Sequence, residues 1–350
     1  MTEAIYILPP HQVPSQSSLR EWSRDATVPA FPSMTASNRV MADYLEQMAK
    51  HLPEDSSSPL ASGGQPEDIA HDTYFSIRRK ATIEPAVFAR MVLIARVIFL
   101  RDVEQAKVTT SESVLSSIDQ SLSALTECVF GAGVDAARHV TLWVWSEKSG
   151  DSMHRWVRGH QLFAALTQGL IFALQELGRG LREGRSQQVR GWSDLSANLL
   201  RGSAAAFQFT GDFPQQDYAE VIRPSMMPPQ SEVGLSGLMS IDHRFLVQMM
   251  RDMRPALKAL YEQEQRRHEE LSNGLTSVYD SHIHVCERFV GKQPSILTVG
   301  RSERSGPSLI EQFKSLRLKP FEQPPRTTRL PHSTAAPAEA AVRCPFSSVK

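Results

Sequence analysis

The chain has 350 residues, and its 38 Lys and Arg side chains balance 38 Asp and Glu, giving a formal charge of zero. That length holds one large domain or two ordinary ones with ample core. The neutral balance argues against a nucleic-acid-binding protein, which would show a basic excess or stripe.

In chain order, Met1 to Pro10 has no basic stretch followed by an apolar run, so no secretory signal is expected. Residues 1–73 are rich in Pro, Ser, Gln and acidic side chains. They read as a polar arm with little regular structure, apart from an amphipathic piece around Val40 to His51. Such an arm suits ordering against a partner subunit, which leaves room for a homodimer. From residue 74 to 318 the apolar spacing is helical almost throughout. It predicts helices over 85–107 and 112–129, the latter stopped by Gly131 and Gly133. Further helices are predicted over 156–183, 193–209, 215–222, 241–265, 269–289 and 308–316. Val140 to Trp145 alone resembles a strand, with no evident pairing partner. Residues 319–350 read as a disordered Pro/Ala-rich tail. The expected class is all-α, with one helical domain over 74–318.

The most apolar window, residues 86–100, contains Arg90 and Arg96, so no membrane span is expected. Cys128, Cys286 and Cys344 are too few and scattered for a disulfide framework, and a cytoplasmic location is expected. Pro224, Pro228 and Pro229 fix backbone direction after the 215–222 helix, which suits a rigid cavity wall or a plain bend.

His282 and Cys286 stand four apart on a predicted helix, one turn above the other on the same face. That arrangement can offer an imidazole to a haem iron and a thiol to the edge of the same macrocycle. The usual Cys-x-x-Cys-His attachment motif is absent. On spacing alone, a small core thiol and a histidine paired with a carboxylate are the commoner reading. His284 falls about 200° around the helix from His282, and a zinc site would need further Cys or His ligands in recognisable spacing.

The stretch Tyr279 to Gly291 resembles the haem-ligand helix of the indoleamine/tryptophan dioxygenase superfamily, with Arg288 six residues after the histidine. Cys286 narrows the likeness to the haem-dependent tyrosine hydroxylases, whose pattern is His-x-n-His-x-x-x-Cys. Arg155 to His160, Leu200 to Ser203, Ile222 to Pro229 and Ser236 to His243 add ordered blocks similar to the 3-methyl-L-tyrosine peroxygenases of saframycin- and safracin-type pathways. The likeness covers roughly residues 134–318. It implies an all-α haem domain with a c-type haem held by a single thioether to Cys286. The iron would be ligated by His282 and, at rest, by His243. His160 would be the distal base. Asp242, beside His243, could equally make this a plain helix cap.

The implied partners are hydrogen peroxide and a tyrosine-derived amino acid, with no nucleic acid and no membrane. The implied reaction is ortho-hydroxylation of 3-methyl-L-tyrosine to 3-hydroxy-5-methyl-L-tyrosine. L-Tyrosine 3-hydroxylation, indole dioxygenation and a non-catalytic bis-His haem protein stand as alternatives. Residues 294–306 lack the glycine-rich character of the dioxygenases, which argues against indole chemistry. Arg223 is the candidate for the substrate carboxylate, because a guanidinium can hold it through two parallel hydrogen bonds. Arg201 and Arg158 are alternatives. Phe207, Phe209, Met226 and Met227 suit either an aromatic pocket or plain core.

Overall fold

The computed structural model describes residues 3–25, 36–52, 65–80, 85–131, 141–231, 235, 240–293, 296 and 304–322. Strand β1 (Ile5–Ile7) alternates buried Ile5 and Ile7 with exposed Tyr6, the period-two pattern of a strand with one face inward. Helix α1 (Gln16–Asp25), the two-residue strand β2 (Ala36–Ser37) and helix α2 (Asn38–His51) follow. Helix α3 (Pro66–Tyr74) starts with Pro66 in its first turn and a reciprocal cap between Gln65 and Asp68, both of which satisfy or remove orphan N–H groups. Strand β3 (Ile77–Arg79) pairs parallel to β1, with Ile5 opposite Ile77 and Ile7 opposite Arg79.

The expectation of a loosely structured arm over 1–73 is therefore corrected for the described residues of that segment. Ile5, Ile7, Leu8, Leu19, Met41 and Leu45 are fully buried within the main hydrophobic core. The polar composition misled because few apolar residues per element are enough when each one faces inward.

Helix α4 (Pro85–Gln105) is buried on nearly every side, and α5 (Glu112–Phe130) ends at Gly131, whose φ of 88° favours glycine. The expected strand at 140–145 is a short one, β4 (Thr141–Leu142), and it does have a partner: β2, in parallel. Helix α6 (Ser152–Arg182) is capped by Asp151, which accepts from the Met153 and His154 amides at 2.9 and 3.3 Å. Helix α7 (Ser186–Thr210) packs back along it.

A short turn of helix α8 (Gln215–Asp217), a π-helical segment Tyr218–Ile222 and α9 (Arg223–Ser225) form a continuous wall. The single helix expected over 241–265 is two, α10 (Ile241–Asp252) and α11 (Arg254–Gln263). Pro255 lacks the N–H that a continuous helix would use, so the chain restarts there. Helix α12 (Gln265–Phe289) and α13 (Gly306–Leu318) close the array. Phe321, placed by expectation in the tail, is buried and packs on His268 at 5.4 Å. The remaining tail, 323–350, lies outside the described residues. Among the described residues the fold is all-α with two minimal strand pairs, and no helix is long and apolar enough to cross a membrane.

Candidate functional site

A cavity of about 240 Å³ opens between α6, α7, α10, α12 and α13, and His71 of α3 also lines it. Its walls are largely apolar, with Leu170, Leu246, Met250, Leu275, Val278 and Ile310 among them. Four histidines from four helices face it: His71, His160, His243 and His282, together with Cys286. Among the described residues no carboxylate and no lysine lines it, and its formal charges are the guanidiniums of Arg223 and Arg317. Such a lining suits a ligand with an apolar body and anionic ends.

His282 owes its place to a close helix crossing. A Cβ on Gly274 would lie 3.0 Å from Cβ of Leu200, so glycine there lets α12 press against α7. Two turns further on, Phe207 stacks on the His282 ring, with centroids 4.5 Å apart and planes 16° from parallel. Burial, helped by the nearby His243, pushes the His282 pKa down to about 4, so the imidazole is neutral, the form that ligates metals. One turn beyond, burial, with Glu287 adding to it, pushes the Cys286 thiol up to about 12.

His284 is exposed, as its angle around the helix predicts. Arg288 reaches away from the cavity and donates to the Gly211 and Phe213 carbonyls at 2.8 and 2.7 Å. It thereby satisfies carbonyls at the end of α7.

His160 lies well inside α6, in its third turn. Gly159 permits contact with α7, since a Cβ there would come within 2.1 Å of Thr210 Oγ1. The His160 ring stacks on Phe75 at 3.8 Å and 8°, with Trp156 at 4.4 Å. Its Nδ1 is 2.8 Å from the Trp156 carbonyl. A carbonyl only accepts, so the proton sits on Nδ1 and Nε2 keeps its lone pair. Burial pushes its pKa down to about 3, because aromatic neighbours cannot solvate an imidazolium.

His243 lines the same cavity. The alternative that Asp242 caps its helix does not hold, because Ser240 is the cap position and Asp242 is buried in an ion network. Arg79 donates from Nη2 to Asp242 at 2.7 Å and from Nε to Asp72 at 2.7 Å. Gln168 of α6 donates to Asp242 at 3.0 Å and also to the Leu8 carbonyl. The network thus joins β3, α3, α6 and α10 directly behind the histidines.

Arg223 lines the cavity and interacts with Tyr218, whose hydroxyl is nevertheless pushed up to about 12 by burial. Of its alternatives, Arg201 is exposed, and Arg158 is oriented by His154 at 3.4 Å, outside the lining. Phe207 and Met226 line the cavity. Phe209 is core, packed on Phe99 at 5.3 Å, and Met227 is not in the lining.

Sequence reasoning missed His71, Arg317 and the network behind His71. The usable signal for His71 was the helix start at Gln65-Pro66 with Asp68 three residues on.

Residues 7–270 match the family described as SfmD 3-methyl-L-tyrosine peroxygenase, three quarters of the chain. The chain belongs to that family. A 3-methyl-L-tyrosine peroxygenase of Streptomyces lavendulae is 36% identical over 178 residues. The matched stretch is 51% of this chain and 49% of that protein, so the chain spans about half the length of the curated relative it matches. A crystal structure of reduced SfmD soaked with sodium hydrosulfite superposes with a TM-score of 0.66 at 23% identity, covering 81% of this chain and 98% of the other. That likeness shows a shared all-α fold.

Proposed function

We propose that the chain is a cytoplasmic haem peroxygenase that uses hydrogen peroxide to hydroxylate the ring of 3-methyl-L-tyrosine next to its hydroxyl. The observation that supports this most is the meeting of His243, His282 and Cys286 in one apolar cavity, in a chain whose relative is named for that reaction.

The residues fit a haem. Among the described residues no three His, Cys, Asp or Glu side chains converge on a bare metal ion, so two histidines would ligate iron only with a macrocycle completing the set. The apolar walls suit its faces, and Arg317 and Arg223 suit anionic groups. When bound, the haem supplies the oxidising chemistry, while the protein positions and handles protons.

His282 would hold the iron, with its ring orientation fixed by Phe207. His243 would be a second histidine held to the iron at rest, and would withdraw when the site is engaged. Cys286 would add its S–H across one haem vinyl group, sulfur to one carbon and hydrogen to the other, and the single thioether would keep the cofactor from leaving under oxidising conditions. His160, with its lone pair on Nε2, would take a proton from incoming peroxide and return it to the departing water. Arg223 would pair with the amino-acid carboxylate. The balance is one peroxide and one ring C–H giving one ring hydroxyl and water.

The test is a denatured mass spectrum of haem-supplied protein after acid–acetone extraction. A mass gain of one haem that survives extraction, and is absent in Cys286→Ala, is expected. Peroxide-dependent hydroxylation of 3-methyl-L-tyrosine should accompany it. Protein that never retains haem would remove the basis of this reading.

A further inference from the structure

His71 lines the cavity with a buried carboxylate as its hydrogen-bond partner. Its Nδ1 lies 3.2 Å from Asp72 Oδ1, and both side chains are about 4% exposed. Burial alone would raise the Asp72 pKa, but His71 and Arg79 outweigh it and hold the carboxyl below its usual range. An ionised carboxylate only accepts, so the His71 proton sits on Nδ1 and Nε2 is the nitrogen left for a ligand. The carboxylate is itself fixed, because Arg79 donates to it from Nε at 2.7 Å and from Nη2 at 3.3 Å. On its open side His71 packs on Phe75 at 4.9 Å, and Phe75 stacks on His160.

The contrast with His160 is chemical. His160 is fixed by a neutral carbonyl and aromatic rings, whereas His71 is a stronger acceptor with a fixed direction, polarised by charge. A phenol needs such a partner. Its hydroxyl is a donor that loses its water on entering an apolar cavity, and an unpaired one is costly.

We propose that His71 accepts the hydrogen bond of the substrate's phenolic hydroxyl, with Asp72 and Arg79 holding the ring in place. This deepens the reading of the cavity as a site for a phenolic amino acid and rests on it. With Arg223 at the carboxylate, two fixed points would set which ring carbon is presented, and His71 would make the site selective for phenols over ring-deoxy analogues.

The experiment uses the holoprotein and two probes, 3-methyl-L-tyrosine and 3-methyl-L-phenylalanine, with dissociation constants read from the haem absorption band. The wild type is expected to favour the phenol by about tenfold or more, since a site built for a hydroxyl penalises its absence. In His71→Phe the two constants should come within about twofold of each other, a loss set by the phenol's hydrogen bond, with the deoxy probe binding as in wild type. Binding of that probe doubles as the check that the variant folds. His71→Gln, which keeps an acceptor, should restore part of the preference. A wild-type preference that survives in both His71→Phe and His71→Leu would overturn the role of His71 while leaving the phenolic site standing. A wild type that binds neither probe would overturn the substrate reading and this inference together.

Discussion

The two walls of the cavity solve the same problem in opposite ways. On the α12 side, His282 is held by apolar and aromatic packing, with Phe207 stacked on its ring and a protonated thiol one turn away. On the side built by α3 and β3, His71 is held by buried charge, through Asp72, Arg79 and Asp242. A packed wall tolerates small changes of shape, because each contact is worth little by itself. A charged wall does not, because removing one member strands the others in a medium that cannot solvate them.

The sharpest way to break the comparison is Arg79→Leu. It leaves Asp72 and Asp242 buried without their shared cation, and the expected loss is about 3–5 kcal/mol in urea unfolding. On the packed wall, Phe207→Leu should cost less, about 1–2 kcal/mol, as a partial loss of packing. Adding Asp72→Asn and Asp242→Asn to Arg79→Leu should recover a large part of the loss. An Arg79→Leu protein as stable as Phe207→Leu would refute the contrast.

The same contrast explains what the sequence made legible. His282 and Cys286 could be read because their relation lies within one helix, and a step of four is visible in a string of letters. So could Arg223 and Met226 as wall candidates, since prolines mark that segment. The His71 site could not be read in this way. Its parts come from Asp72, Arg79, Gln168 and Asp242, and the link between them depends on β1 pairing with β3 and on α6 crossing α10. Asp242 next to His243 looked like a helix cap because caps are local, whereas its true partner lies 163 residues away in sequence. The segment 1–73 was misjudged for a related reason. Its average composition is polar, while Ile5, Ile7 and Ile77 are buried by a parallel pairing that periodicity within one segment does not announce. The long helices were legible because each has an apolar stripe of its own.

A second, smaller effect concerns α6, which runs between the two walls. Gly159 meets Thr210 so closely that Gly159→Ala forces a Cβ into the hydroxyl and methyl of that side chain. Overpacking of this kind costs about 1–3 kcal/mol. Because the displaced segment holds His160, the variant should also bind haem more weakly, which titration of the haem-free protein measures. Thr210→Ser, which removes one of the clashing groups, should soften the effect. A Gly159→Ala protein of wild-type stability would mean that the two helices can separate freely there.

The smallest effect per step is set by His160 and appears in the pH dependence of stability in the haem-free protein. Unfolded, this histidine titrates near 6.5; folded, burial holds it at about 3. Between those values the unfolded chain binds a proton that the native chain does not. Stability is therefore full above about pH 6.5 and falls as the pH is lowered toward the folded value, by up to about 1.4 kcal/mol per pH unit for this one group. His282, pushed down to about 4 by burial, adds a slope of the same sign over a narrower window. His160→Phe removes only the first contribution, so urea midpoints for the variant should fall less between pH 7 and pH 5.5 than those of wild type, with His282 acting equally in both. Parallel curves would mean that His160 reaches solvent and is protonated in the native state. Its environment would then resemble neither wall, and its fixed Nε2 lone pair could not be assumed at mildly acidic pH.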